Sequence, residues 1–108
     1  MKNKTSTKRI LIADDHPMLR YGLAQLINHE PDLQVGAEAE NARQVLDTVA
    51  RQKFDLVLLD LSLPDKNGLE LIKDLRVAGW IHIVLDEVFR RYAVHCLGNA
   101  IAEAVVNH

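Results

Sequence analysis

Three aspartates mark where this sequence could do chemistry. Asp14 and Asp15 follow the apolar run RILIA, residues 9–13, and Asp60 follows another, FDLVLL, residues 54–59. Three carboxylates brought within a few ångströms repel one another, so they must protonate or take up a cation. Oxygen-only donors with positions left for water suit Mg²⁺, with Mn²⁺ as a substitute, and do not suit zinc. Taken singly, each feature has a plain structural reading. Asp14 and Asp15 read as a helix N-cap beside a solvated charge, and Asp60 as a strand-end carboxylate capping the next turn. Their joint placement at the ends of different strands is what favours a site.

The elements that must position these acids are legible from periodicity. RILIA is too short for a helix and is ended by two acids, which suits a buried strand. From Pro17 to His29, Leu19, Leu23, Leu26 and Ile27 make the stripe of an amphipathic helix, with Pro17 in its first turn. LQVGAEA, 33–39, reads as a second strand weakened by Gly36. Val45, Leu46, Val49 and Ala50 mark a second helix with Asn41 as N-cap. FDLVLL reads as a third strand, apolar on both sides apart from Asp55, as at the centre of a parallel sheet. A third helix runs from about Asn67 to Val77 on Leu69, Leu71, Ile72 and Leu75, stopped by Gly79. WIHIVL, 80–85, is the fourth strand. This alternation predicts an α/β fold: an open, doubly wound parallel sheet covered on both faces, with right-handed crossovers. In such sheets ligands bind beyond the carboxyl ends of the strands, where strand order reverses. If the first and third strands are neighbours, the three acids meet there.

The 108 residues carry a net charge of −2 and one cysteine, Cys96. They suffice for one domain with a real core. There is no basic excess to attract nucleic acid or an anionic membrane surface. No internal disulfide can form, and no run approaches the roughly 18 apolar residues of a membrane span. We expect a cytoplasmic protein with a disordered leader over 1–8 and a single domain over 9–108.

The stretches ILIADDHPMLRYGLAQLI and DLVLLDLSLPDKNGLEL, with the βα alternation between them, resemble the receiver domain of bacterial two-component response regulators. The DDHP and LSLP segments particularly resemble receivers that precede a LuxR-type helix-turn-helix domain. The resemblance covers roughly residues 9–79 and implies a flavodoxin-like fold. It makes Asp60 the phosphoacceptor, taking a phosphoryl group from a histidine kinase or a small phosphodonor. It makes Asp14 and Asp15 the acidic pair holding Mg²⁺, with Asp15 the direct ligand and the backbone carbonyl of Ser62 another. Phosphoryl transfer needs little beyond an in-line nucleophile and a cation to neutralise the oxygens. Pro64 and Gly68 shape the loop after Asp60, and Asn67 caps the third helix. The chain would not be an enzyme beyond phosphorylation and dephosphorylation of its own Asp60.

The family carries a Ser or Thr at the end of strand four and a Lys at the end of strand five. Here Asp86 or Glu87 follows IHIVL, and no lysine follows Lys73. The missing ammonium removes a charge-assisted contact worth about 1.5–3 kcal/mol. Residues 9–85 are family-like, whereas 86–108 read as a shortened or rearranged helical ending without a fifth strand. A sheet stopped at strand four leaves an edge and an apolar helix face open, which predicts a homodimer with exchanged C-terminal helices. A DNA-reading role would belong to a longer parent or a partner. Two other readings stand beside the receiver: a pseudo-receiver that serves interaction and is not switched by phosphate, and a haloacid-dehalogenase-type phosphohydrolase. The last wants a second Asp two residues after the nucleophile, where Ser62 stands. His16 reads as an exposed helix-start residue more readily than as a contact to the metal site. Asp65 reads as solvated, Cys96 as core, and Trp80 as packing at a strand entrance.

Overall fold

Apolar runs too short to bury a helical stripe become strands, and the segments of 3.6-residue periodicity between them become the covering helices. The computed structural model describes residues 7–79 and 83–85. Its elements are β1 (Lys8–Ala13), α1 (Pro17–His29), β2 (Leu33–Ala39), α2 (Ala42–Arg51), β3 (Leu56–Leu59), α3 (Gly68–Val77) and β4 (Ile83–Leu85). The strands pair in parallel in the order β2-β1-β3-β4. β1 therefore lies between β2 and β3, and strand order reverses at the β1/β3 boundary.

Side chains alternate across β1 and divide the core into two layers. Ile10 and Ile12 join Leu56, Leu58 and Leu33 beneath Leu23, Ala24 and Ile27 of α1. Leu11 and Ala13 join Val57 and Leu59 beneath Val45 of α2 and Leu71 and Leu75 of α3. Each such fully buried leucine or isoleucine stabilises the fold by about 1.5–3 kcal/mol. β3 is buried on both faces along its whole length, as a central parallel strand must be.

One irregularity sits in β2. Ile10 pairs with Val35 but Leu11 pairs with Ala37, leaving Gly36 as an extra residue. A Cβ on Gly36 would stand 2.8 Å from Arg9 Nη2 and 2.9 Å from a ring carbon of Phe54. A side chain there would press on the Arg9 guanidinium, which lies 5.0 Å from the Phe54 ring centre.

The sequence reading and the structure differ at element margins. Lys8, placed in the leader, pairs with Leu33 as the first residue of β1. β3 begins at Leu56 and not at Phe54. Asp55 instead clips the start of β1, its N–H donating to Arg9 O at 2.8 Å and its Oδ2 accepting from Arg9 N at 2.8 Å. Leu26, Ala50 and Leu69, read into the apolar stripes, are exposed, because a helix lying on a sheet buries only a narrow stripe. The expectations for Trp80, Asp86, Glu87, Cys96, the absent fifth strand and the exchanged C-terminal helices lie outside the described residues, as does most of the 1–8 leader. Among the described residues no helix is long and apolar enough to cross a membrane.

Candidate functional site

The β1/β3 boundary fixes where the acids go. The ladder continues one residue beyond both strands, with Asp14 N donating to Ala39 O at 3.0 Å and Asp60 N donating to Ala13 O at 2.9 Å. Asp14 and Asp60 thus leave neighbouring strands at the same level. Asp14 is 1% exposed and Asp60 8%, the two buried charged residues among those described. Asp15, one residue on, is partly exposed. One ligand atom from each of Asp14, Asp15, Asp60 and His16 falls within 4.8 Å of all the others.

Burial this deep ordinarily demands hydrogen-bond partners. Asp60 Oδ1 has two, from Ser62 N at 2.9 Å and Ser62 Oγ at 2.8 Å. These fix the carboxylate and leave Oδ2 to face the acid pair. Asp14 Oδ1 accepts from His16 N at 2.8 Å and lies 2.9 Å from His16 Nδ1. Asp14 Oδ2 and Asp15 Oδ1, both buried, have no hydrogen-bond partner among the described residues. Buried carboxylate oxygens that accept no hydrogen bond, clustered with a third acid, are what a divalent cation would satisfy, so the donor set fits a metal ion.

His16 departs from the reading of a merely exposed helix-start residue. Its side chain is 63% exposed, yet Nδ1 lies 3.0 Å from Asp15 Oδ1 and 3.7 Å from Asp60 Oδ2, besides its contact with Asp14. The hydrogen bond to Asp14, then the charge of Asp15, hold its pKa above the usual histidine value. A signal for this placement existed in sequence. The residue before proline is confined to extended backbone, and His16 adopts φ −98°, ψ 103° before Pro17 at the head of α1.

Arg20, one turn into α1, was not singled out in sequence. Its Nη1 donates to the Asp14 carbonyl at 2.6 Å and its Nε to Glu38 Oε1 at 3.0 Å, tying the end of β1 to the end of β2 beside the acids. Asp65 is exposed, but it also does more than the solvated role read for it. Oδ1 accepts from Ala42 N at 2.7 Å and Oδ2 from Arg43 N at 3.0 Å, so the loop after Asp60 caps the first turn of α2. Those backbone donors, Ala42 foremost, hold the Asp65 pKa below its ordinary value.

The 61–69 loop is closed by contacts that tolerate no larger residue. A Cβ on Gly68 would meet the Leu61 Cα and carbonyl oxygen at 2.7 Å, so glycine is required by close backbone approach. Asn67 Oδ1 accepts from Leu69 N at 2.8 Å and starts α3. Pro64 lines an open cleft in this loop. Lys66, in the same loop, is paired with Asp74 at 2.6 Å.

Comparison with known proteins agrees with this geometry. The family model for the response regulator receiver domain matches residues 10–98, past the 9–79 over which the resemblance was read. The chain is 49% identical over 67 residues to the nitrate/nitrite response regulator protein NarL of Escherichia coli (strain K12), a match covering 62% of this chain and 31% of that protein. It is 41% identical over 66 residues to the transcriptional regulatory protein UhpA of the same organism, covering 61% of this chain and 34% of that one. The chain thus spans about a third of the length of these relatives. Among solved structures, a LuxR-family two-component response regulator from Aurantimonas sp. SI85-9A1 superposes with a TM-score of 0.69 at 34% identity, covering 74% of this chain and 58% of that chain. The response regulator domain of Thermotoga maritima CheB, at 24% identity and a TM-score of 0.70 over 73% of this chain and 59% of that one, shares the fold.

Proposed function

The chain belongs to the response regulator receiver domain family, and from that premise we propose that it accepts a phosphoryl group on Asp60 in a Mg²⁺-dependent reaction with a histidine kinase or a small phosphodonor. The observation that supports this most is the convergence of Asp14, Asp15 and Asp60 at one sheet edge, with buried oxygens that accept no hydrogen bond among the described residues. Asp14, Asp15, Asp60 and the backbone carbonyl of Ser62 would hold the cation. When bound, it neutralises the carboxylates and the oxygens of the incoming phosphoryl group. Ser62 fixes the Asp60 carboxylate through Oδ1. A carboxylate oxygen of Asp60 forms the new P–O bond while the P–N bond to a phosphohistidine, or the P–O bond of an acyl phosphate, breaks. The electron pair leaves with the donor, and the product is an acyl phosphate on Asp60.

The test is intact mass after incubation with Mg²⁺ and acetyl phosphate, on the wild type and on Asp60→Asn. A mass gain confined to the wild type is expected. No gain, or an equal gain in D60N, would sink the reading. A second reading has its own observation, since the acids Asp86 and Glu87 follow the fourth strand in sequence. A pseudo-receiver would show no Asp60-dependent gain. Light scattering before and after phosphorylation tests the homodimer, and one protomer mass in both states would exclude it.

A further inference from the structure

We propose that Arg20 is a positioning residue for the cation site, holding the peptide between Asp14 and Asp15 so that both carboxylates meet Mg²⁺ in one geometry. The inference rests on the metal-dependent receiver reading and gives a role in it to a residue outside the proposed ligand set.

The first observation is what Arg20 holds. Its Nη1 donates at 2.6 Å to the carbonyl of Asp14, which belongs to the peptide that joins the two acids. That peptide is planar, so fixing its oxygen also fixes where the Asp15 backbone, and with it the Asp15 carboxylate, sets out. On the other side of Asp14, the N–H donates to Ala39 O at 3.0 Å. Arg20 Nε in turn donates to Glu38 Oε1 at 3.0 Å. The main chain of Asp14 is therefore tied on both sides to consecutive residues of β2, directly to Ala39 and through Arg20 to Glu38. The side chain reaches back from a fixed base, because the N–H of Arg20 donates to His16 O at 2.9 Å in the first turn of α1. The guanidinium thus closes the turn that carries Asp14, Asp15 and His16.

The second observation is charge, which decides between positioning and electrostatics. The Arg20 side chain is 16% exposed and lies between two glutamates, Glu38 at 3.0 Å and Glu40 at 4.0 Å. One cation beside two anions has no net positive charge to offer the acids. What the guanidinium adds is its rigid fork, which holds a carbonyl and a carboxylate at once where a lysine ammonium is a single point on a flexible stem. Groups that orient metal ligands from outside the ligand set commonly change metal affinity by roughly tenfold to a hundredfold.

The test is calorimetric titration of the full chain with Mg²⁺, together with the rate of mass gain at Asp60 from acetyl phosphate as Mg²⁺ is varied. Both are measured on the wild type, R20Q, R20K, E38Q and E38A. R20Q should bind Mg²⁺ about tenfold more weakly. Its phosphorylation should need correspondingly more Mg²⁺ for the half-maximal rate, while the rate at saturating Mg²⁺ stays near that of the wild type. R20K keeps the charge without the fork and should fall between the two. E38Q keeps an oxygen acceptor for Nε and loses the charge, so it should bind Mg²⁺ as the wild type does, whereas E38A should weaken binding. If R20Q does not fold, R20K and E38A carry the test. Wild-type Mg²⁺ affinity in folded R20Q, or in R20K and E38A together, overturns the proposal, even where the urea midpoint falls. A loss in E38Q as large as that in E38A overturns it as well, because the charge and not the geometry would then be at work. The receiver reading fails separately. Weaker Mg²⁺ binding in R20Q with no mass gain in the wild type sinks phosphoacceptance alone, whereas a mass gain at Asp60 with equal Mg²⁺ affinities sinks the positioning role alone.

Discussion

Where the strands begin, Arg9 is surrounded by partners: Nη1 donates to Lys53 O at 2.8 Å, Nη2 to Gln52 Oε1 at 2.8 Å, and the guanidinium stacks on Phe54. Where β1 and β3 finish, Asp14, Asp15 and Asp60 crowd together, and two of their buried oxygens accept no hydrogen bond among the described residues. The same two strands carry both ends, so the difference is in what each end is for. Satisfied polar groups at the starting edge hold the sheet together. Unsatisfied ones at the finishing edge lower stability and hold open a place for charge to arrive.

If that contrast is right, substitutions at the two ends should move stability and chemistry in opposite senses. The largest effect belongs to Phe54, which is buried at the starting edge. Phe54→Ala should cost about 3–5 kcal/mol in urea unfolding while the folded fraction still gains mass at Asp60. Loss of phosphorylation from fully folded protein would break the division. Gly36→Ala, at the same end, forces a Cβ against Arg9 and Phe54 and should cost about 1–3 kcal/mol, read as a lower urea midpoint.

At the finishing edge the sign reverses. Asp14→Asn removes one of three mutually repelling carboxylates and should raise stability by about 1 kcal/mol while abolishing metal-dependent phosphorylation. A destabilised D14N would mean that the acids are held by interactions as good as those around Arg9. Asn67→Ala tests the scaffold beneath the acids, since it deletes the α3 cap but touches no carboxylate. A loss of about 0.5–1 kcal/mol is expected by thermal unfolding. The smallest effect sharpens the contrast within the finishing edge itself. Asp65 accepts from the first backbone N–H groups of α2, and its folded pKa lies below its ordinary 3.8. Its contribution is present above that value and is lost as pH falls through the lowered folded pKa. The stability difference between the wild type and Asp65→Asn should therefore shrink on acidification, measured as urea midpoints across that range, and a constant difference would remove Asp65 from the satisfied class.

Much of this was readable in the chain because it is local. The limits of α1 and β2, and the capping roles of Asn41 and Asn67, follow from period and N-cap chemistry that the structure shows, Asn41 accepting from Gln44 N at 2.8 Å. The meeting of the three acids followed from topology, once β1 and β3 were taken as neighbours. What stayed hidden was non-local or rotameric. Asp65 reaches α2 across 23 residues of sequence, which no spacing rule spans. Phe54 and Asp55 look like strand residues by composition, but they precede β3, and Asp55 clips the start of β1. His16 and Arg20 owe their roles to where their side chains turn, and only the proline after His16 gave any hint.

The extra residue at Gly36 has a counting consequence. Leu33 and Val35 face the α1 layer, yet Ala37 and Ala39, of the same parity, face the α2 and α3 layer. The bulge has switched odd for even. Glu38 is thereby paired with Ile12 on the α1 side, where Arg20 reaches it while also holding the Asp14 carbonyl. Were Gly36 paired with Leu11 as an ordinary strand residue, alternation would be uniform, Glu38 would face the opposite layer, and Arg20 would lose that anchor. It is the bulge in register, one residue of β2 left unpaired, that sets Glu38 within reach of Arg20 beside the acids at the far end of the strand.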